Sequence, residues 1–86
     1  MNVENRATKL YLKSKSPREV MQLLEDYKIP SPYKEVLITV CIHNKSGFEG
    51  MDFLSENFGI NYSYWTFVRR VKESLDKFKK AHDYCQ

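Results

Sequence analysis

The feature that most constrains the fold is Gly59, which interrupts an apolar, helix-forming stretch from Gly50 to Leu75. A glycine can adopt the left-handed conformation that ends a helix without a Cβ penalty, so the chain can turn sharply there into a second helix. Leu54 precedes the turn and Ile60 follows it, so apolar side chains can pack the two helices at a fixed angle. The stretch therefore predicts two helices joined by a turn, with Asn61 as the N-cap of the second helix.

The pattern consists of one small residue where the helices approach, the glycine of the turn, and apolar residues around it, namely Leu54, Ser55, Phe58, Gly59, Ile60, Trp65 and Val68. None of these is a catalytic group, and apolar-rich helical proteins can match the pattern by chance. The alternative interpretation is an ordinary helical hairpin in which Gly59 is only a C-cap. Neither geometry fixes a function, because function depends on the site and not on the fold.

Two helices are predicted before this stretch. The first runs from Asn2 to Lys13, because apolar residues recur there at three- and four-residue spacing, namely Val3, Ala7, Leu10 and Tyr11. The second opens at a capping box, in which Ser16 is the cap and Glu19 lies three residues later. It is expected from Pro17 to about Tyr27, with an inner face of Val20, Leu23, Leu24 and Tyr27.

The run VLITVCI, from Val36 to Ile42, is rich in β-branched residues and could form a strand. A proline start at Pro32, helical neighbours and the lack of a second comparable strand favour a buried helix from Tyr33 to His43. The centre of the core is then expected to contain Val36, Leu37, Val40 and Cys41.

Ser46 or Gly47 is predicted to open the following helix, with Glu49 placed for a second capping box with Ser46. Because Gly50 weakens that helix, a start only at Gly50 or Met51 is the alternative. From Tyr62 no helix breaker follows, which predicts a final helix of about twenty residues. Its buried side is expected to contain Tyr64, Trp65, Val68, Val71, Leu75, Phe78 and His82, with Phe67 at the boundary.

These elements predict an all-α, compact bundle of about five helices in a single domain spanning 1–86, in which residues 1–30 support residues 31–86. A content of 42% apolar and 29% charged residues is typical of neither a disordered nor a membrane-spanning chain. The amino terminus lacks the apolar core of a signal peptide, so a cytoplasmic protein is expected.

Charge is unevenly distributed along the chain. Residues 1–18 carry five basic and one acidic residue (+4), residues 19–60 carry three and seven (−4), and residues 61–86 carry six and three (+3). The basic segments at the two ends are therefore the candidate footprint for a nucleic acid, because neutralised phosphates supply most non-specific affinity.

The order of helices from Ser31 onward, with an apolar helix, the segment GMDFLSENFGI and a longer basic helix, resembles the tri-helical helix-turn-helix DNA-binding domains of sigma-factor region 4 and small phage-type regulators. The resemblance covers about Pro32 to Lys80. It implies a small transcriptional regulator, encoded by a phage or mobile element, whose partner is double-stranded DNA.

In such a domain the exposed start of the second helix meets base edges in the major groove, which here implies Asn61, Tyr62, Ser63, Thr66 and Arg70. Arg70 is the candidate for a bidentate contact to guanine. The residues expected to hold phosphates are Arg69, Lys72, Lys77 and Lys45. The alternative is that these side chains are only the solvated face of a surface helix.

A helical protein-binding module is the competing function, acting on RNA polymerase, a repressor or another host protein. Exposed tyrosines and a boundary phenylalanine suit a protein interface, and the acidic residues Glu49, Asp52 and Glu56 do not favour approach to phosphate. A homodimer is also expected, with contacts from the N-terminal helix or from Tyr64, Phe67 and Phe78.

Enzymatic activity is not expected. His43 and His82 stand alone in the sequence, and the chain has neither the Cys/His spacing of a zinc site nor a phosphate-binding glycine loop. No metal, other cofactor or membrane association is therefore predicted.

Cys41 is expected to be a small buried residue, while Cys85 is expected to be a free thiol, with a disulfide between the two as the alternative.

Overall fold

A computed structural model describes residues 3–84 of the protein, with side chains from residue 5 onward. It contains α1 (Val3–Lys13), α2 (Pro17–Asp26), α3 (Tyr33–Leu37) with a π-helical continuation (Ile38–Ile42), α4 (Gly47–Phe58) and α5 (Tyr64–Tyr84). The described residues form no strand. The prediction of an all-α bundle of about five helices with a long C-terminal helix is confirmed. Cys85 lies outside the described residues.

The predicted capping box at the start of α2 is confirmed. The backbone N–H of Glu19 donates to Ser16 Oγ at 3.2 Å, and the backbone N–H of Ser16 donates to Glu19 Oε1 at 3.2 Å. These hydrogen bonds lower the pKa of the Glu19 carboxyl group. Val20 and Leu24 are buried on the inner face of the helix, so the sequence placed both the start of α2 and its orientation correctly.

The run VLITVCI is helical, and the alternative of a strand is wrong. The four predicted core residues are all buried, namely Val36, Leu37, Val40 and Cys41. Burial raises the pKa of the Cys41 thiol to about 11, as expected for a small residue enclosed by apolar neighbours. In the π-helical part, Thr39 donates from Oγ1 to the carbonyl oxygen of Glu35 at 2.9 Å, so this buried polar side chain is satisfied within its own helix.

Helix α1 presents a different face to the core from the one predicted. Leu12, Asn5 and Thr8 are buried, whereas Ala7 is exposed and Leu10 is 61% exposed. The predicted inner side chain of Val3 lies outside the described side chains. Helix α1 packs against α5 and the π-helical segment, and these neighbours select its inner face. Apolar spacing within α1 was therefore a poor guide to its orientation.

Helix α4 begins at Gly47, which confirms the predicted opening at Ser46 or Gly47, and the alternative of a start only at Gly50 or Met51 is wrong. Ser46 is the N-cap residue but makes no side-chain capping hydrogen bond, so the predicted second capping box is wrong. Glu49 instead forms an ion pair with Lys45, at 3.7 Å from Oε2 to Nζ. The capping geometry therefore depends on more than the presence of serine and glutamate at the right spacing.

Gly50 lies where α4 and α5 approach most closely. A Cβ atom at this position would lie 2.5 Å from Cζ of Phe67, which is too close for real atoms. The sequence pattern had assigned the close approach to Ser55, but Ser55 is exposed. The glycine that weakens α4 in isolation is therefore the residue that allows the Phe67 ring to pack against it.

The predicted role of Gly59 at the end of α4 is confirmed. Gly59 has a φ of 67°, and its backbone N–H donates to the carbonyl oxygens of Leu54 and Ser55. The bond from the Gly59 N–H to the Ser55 carbonyl, at 3.1 Å, is that of the αL motif, and the N–H of Ile60 also donates to the carbonyl of Leu54, at 3.2 Å. Ile60 packs partly buried against the core, so the chain leaves α4 in a fixed direction.

Candidate functional site

The candidate site lies on the first three turns of α5, whose orientation differs from the prediction. Phe67 is only 1% exposed, whereas Trp65 is 77% and Val68 is 41% exposed. The helix begins at Tyr64, a delay of two residues from the predicted start at Tyr62. Contacts with neighbouring helices, among them that of Phe67 with Gly50 of α4, turn Phe67 and not Trp65 inward. Farther along α5, Leu75 and Phe78 are buried as predicted.

The same delay leaves three predicted contact residues, Asn61, Tyr62 and Ser63, in the connection before α5. The carbonyl oxygen of Ser63 accepts from the N–H of Phe67 at 2.8 Å, and its Oγ accepts from the N–H of Thr66 at 3.4 Å. Ser63 is thus the N-cap of α5, and the prediction that Asn61 holds this place is wrong. The Oδ1 atom of Asn61 instead accepts from Oγ of Ser55 at 2.6 Å, which links the connection to α4.

One flank of α5 carries cations that are engaged by other residues of the chain. The Arg70 guanidinium donates to Glu73 Oε1 at 2.7 Å and lies 5.7 Å from the ring centroid of Tyr62. Its pKa is raised, chiefly by the hydrogen bond to Glu73 and then by that to Tyr62. Lys77 is engaged in a similar way, with Nζ 4.7 Å from the ring centroid of Tyr33. We call Arg70 and Lys77 with these partners the committed flank.

The other flank carries two predicted phosphate contacts, Arg69 and Lys72, and both are exposed. Within residues 5–84 neither forms an ion pair. They lie beside Trp65 and Val68, and we call these four residues the free flank. The structure thus brings together two of the nine predicted site residues with two apolar side chains that were expected to be buried.

The free flank forms one wall of a groove with a volume of about 440 Å³. The remaining lining comes from α1, the π-helical segment and the start of α4, with α5 supplying two further apolar side chains, so that the full lining is Lys9, Val40, Ser46, Gly47, Trp65, Phe67, Val68, Arg69, Val71 and Lys72. Among the side chains of residues 5–84, no carboxylate lines this groove. Its inner wall is apolar and its charged side chains are all basic, so it can accept an apolar group and an anion together.

The remaining predicted contact residues lie apart from the free flank. Lys45 is paired with Glu49 in a shallow depression that Asp52 and Glu56 also line, so its surroundings are acidic. The Oγ1 atom of Thr66 accepts a hydrogen bond from Oγ of Ser63 at 2.9 Å. Phe67 and Phe78 are buried, so the predicted apolar dimer contact through these two residues is wrong. A homodimer stays a prediction.

Sequence reasoning missed Lys9 and Phe48 as site residues. Lys9 belongs to α1 and reaches the groove only because α1 packs against α5. Phe48 is 69% exposed. Its ring centroid lies 5.0 Å from that of Tyr64, and the ring centroid of Tyr64 lies 5.1 Å from that of Trp65. Ser63 is a sequence signal for the start of α5 at Tyr64, because serine is a preferred N-cap residue, but no local signal marks the exposure of Trp65.

No family model, curated protein or solved structure matches this chain. Among the described residues, no group of three or more His, Cys, Asp or Glu side chains is arranged to hold a metal ion. None of the helices between residues 3 and 84 combines the length and hydrophobicity required to cross a bilayer.

Proposed function

We propose that the protein is a small DNA-binding regulator of the helix-turn-helix type, which places the start of α5 in the major groove. The observation that carries the proposal is the pair of exposed, unpaired cations on the free flank, Arg69 and Lys72, within the first three turns of a helix held by the Gly59 turn. A helix presented in this way can enter a major groove, where its N-terminal residues contact base edges.

The proposed contact residues differ in emphasis from those taken from the sequence. Arg69 replaces Arg70 as the candidate for a bidentate contact to guanine, because Arg70 would have to leave Glu73 and Tyr62 to reach a base. Lys72 and Lys9 would neutralise phosphates. Thr66 lies at the start of α5 beside the same face, where a hydroxyl group can contact either a base or a phosphate.

The charge pattern supports an approach limited to the start of α5. Glu73 and Asp76 follow on the same helix, and α4 carries Glu49, Asp52 and Glu56. Carboxylates repel phosphates, so these residues favour a docking in which α5 enters by its first turns and its later turns stay outside the groove. Residues of the basic run near the C-terminus, such as Lys80, then lie away from the bases.

A duplex titration tests the proposal. Labelled mixed-sequence DNA is titrated with the protein at two salt concentrations, alongside Arg69→Ala/Lys72→Ala and the matched pair Arg70→Ala/Lys77→Ala. We expect the first pair to weaken binding and to reduce the slope of log affinity against log salt by about one, the value for the single phosphate contact assigned to Lys72, and the second pair to change both less. Absence of binding at low salt, or equal losses in the two double variants, would contradict the proposal.

A further inference from the structure

The groove beside α5 is deeper and more apolar than contact with a phosphate backbone requires. It is lined by Val40 and Phe67 at its base and by Trp65, Val68 and Val71 along α5. We propose that it binds one amphipathic helix of another protein, whose apolar side chains enter the groove and whose carboxylates meet the basic side chains at its edges. This goes beyond the proposed DNA binding and does not depend on it.

Trp65 is the largest exposed apolar side chain in the lining of the groove. A tryptophan that is 77% exposed, beside a valine that is 41% exposed, is a concentrated apolar surface that water solvates poorly. Tryptophan is also the residue type that most often dominates binding energy at interfaces. The groove volume of about 440 Å³ is large enough to receive several apolar side chains.

Three basic side chains line the groove beside this apolar surface. Lys9 comes from α1, while Arg69 and Lys72 come from α5. Within the side chains of residues 5–84, no carboxylate lines the groove and none of these three cations forms an ion pair. An acidic partner would neutralise them, whereas a basic partner would be repelled, so the partner should carry carboxylates beside its apolar face.

A helix suits the shape of this surface. The groove is lined by residues of α1 and α5, two helices that pack against each other, and by Gly47 at the start of α4, which has no side chain to fill it. A third helix laid between two others packs its i, i+3, i+4 and i+7 side chains into such a groove. A DNA duplex has no apolar ridge of this width, so it can meet Arg69 and Lys72 but cannot fill the base formed by Val40 and Phe67.

A second copy of this chain is a weaker candidate for the occupant. Its acidic helix surfaces among the described residues are those of α4, with Glu49, Asp52 and Glu56, and of α2, with Glu19, Glu25 and Asp26. If either helix of one copy entered the groove of another, the contact would join two different surfaces and would propagate into rings or filaments. We therefore assign the groove to a different protein. Since Arg69 and Lys72 belong also to the proposed DNA contacts, the partner helix and a duplex would exclude each other.

The test uses the fluorescence of Trp65, the single tryptophan of the chain. The full protein is titrated with helix-stapled peptides of about 14 residues, or four turns, that lack tryptophan. One set carries leucine or phenylalanine at i, i+3, i+4 and i+7 with glutamate on both sides. Two controls carry lysine in place of glutamate, or the same residues in scrambled order. We expect a blue shift of Trp65 emission with the first set, and binding at least roughly tenfold weaker with both controls.

Two variants locate the site. Val68→Glu places a carboxylate in the groove, and Lys72→Glu reverses a charge at its edge, so each should weaken peptide binding by roughly tenfold or more. Lys80→Glu is the matched control on the same helix, since Lys80 is exposed and lies outside the groove lining, and it should bind as the parent protein does. Circular dichroism establishes that each variant is folded.

Three outcomes would overturn the inference. The first is equal binding of ordered and scrambled acidic peptides, which would reduce the surface to a general anion site of the kind that DNA uses. The second is no change of Trp65 emission with any acidic peptide at millimolar concentration. The third is self-association of the protein in sedimentation that Val68→Glu abolishes, which would assign the groove to a second copy. DNA binding is measured separately, so its failure would leave this result unaffected.

Discussion

The two flanks of α5 carry similar basic residues but present them differently. On the committed flank, Arg70 is held by Glu73 and the ring of Tyr62, and Lys77 lies over the ring of Tyr33. On the free flank, Arg69 and Lys72 face solvent beside an exposed tryptophan. Adjacent arginines in the sequence therefore have different surroundings, because successive residues on a helix point about 100° apart. Charge alone does not identify a binding residue, and the partners that each side chain already has decide whether it is available.

The largest effect on stability is expected at Phe67, the side chain that α5 buries in place of Trp65. Phe67→Ala should reduce the free energy of unfolding by about 3 to 5 kcal/mol, because it removes a buried ring and leaves a cavity. Trp65→Ala should change it by no more than about 0.5 kcal/mol, because that side chain is exposed. Urea unfolding measures both. A larger loss at Trp65 than at Phe67 would mean that the buried and exposed faces of α5 have been assigned the wrong way round.

The packing of α4 against α5 gives the next largest effect. Gly50→Ala places a Cβ atom against the Phe67 ring, and this overpacking should lower the free energy of unfolding by about 1 to 3 kcal/mol. The higher helix propensity of alanine should offset up to about 1 kcal/mol of that loss. Combining it with Phe67→Leu should recover part of the loss, because the shorter side chain vacates the contact. The control Glu56→Ala, on the exposed side of α4, should stay within about 0.5 kcal/mol. Stabilisation by Gly50→Ala would show that α5 sits farther from α4.

The start of α5 gives a smaller effect that separates capping from DNA contact. Ser63→Ala should lower stability by about 0.5 to 1 kcal/mol, because Ser63 Oγ accepts from the N–H of Thr66. Ser46→Ala should cost less, because Ser46 makes no side-chain capping bond. Thermal unfolding measures this difference. If Ser63→Ala instead left stability unchanged and reduced duplex affinity alone, Ser63 would be a base contact, as the sequence pattern suggested.

The smallest effect tests whether the committed flank can be made free. Glu73→Gln removes the carboxylate that pairs with Arg70, and stability should fall by less than about 1 kcal/mol because the pair is partly exposed. Under the proposed function, duplex affinity should rise a few-fold, since a repulsive charge is lost and a guanidinium is released. The same titration as for the alanine pairs measures it. A fall in duplex affinity would place the Arg70–Glu73 pair itself in the contact.

Local signals in the sequence were sufficient where the cause is local. The box formed by Ser16 and Glu19 starts α2, and Gly59 ends α4, as expected from capping chemistry that involves only neighbouring residues. The buried run from Val36 to Cys41 was also recognised, because a segment this apolar is buried whichever way it faces. In contrast, a serine and glutamate at the same spacing gave no box at Ser46, where the chain adopts a different entry into α4.

The sequence by itself thus determined the helix content, most helix ends and the membership of the central core. Only the tertiary structure decided which faces of α1 and α5 are buried, because both amphipathic patterns admit more than one rotation and the contacts with neighbouring helices select one. That selection buries Phe67 against Gly50 and leaves Trp65 exposed. It also brings Lys9 of α1 beside Arg69 and Lys72 of α5, a juxtaposition of residues far apart in sequence that no local pattern encodes.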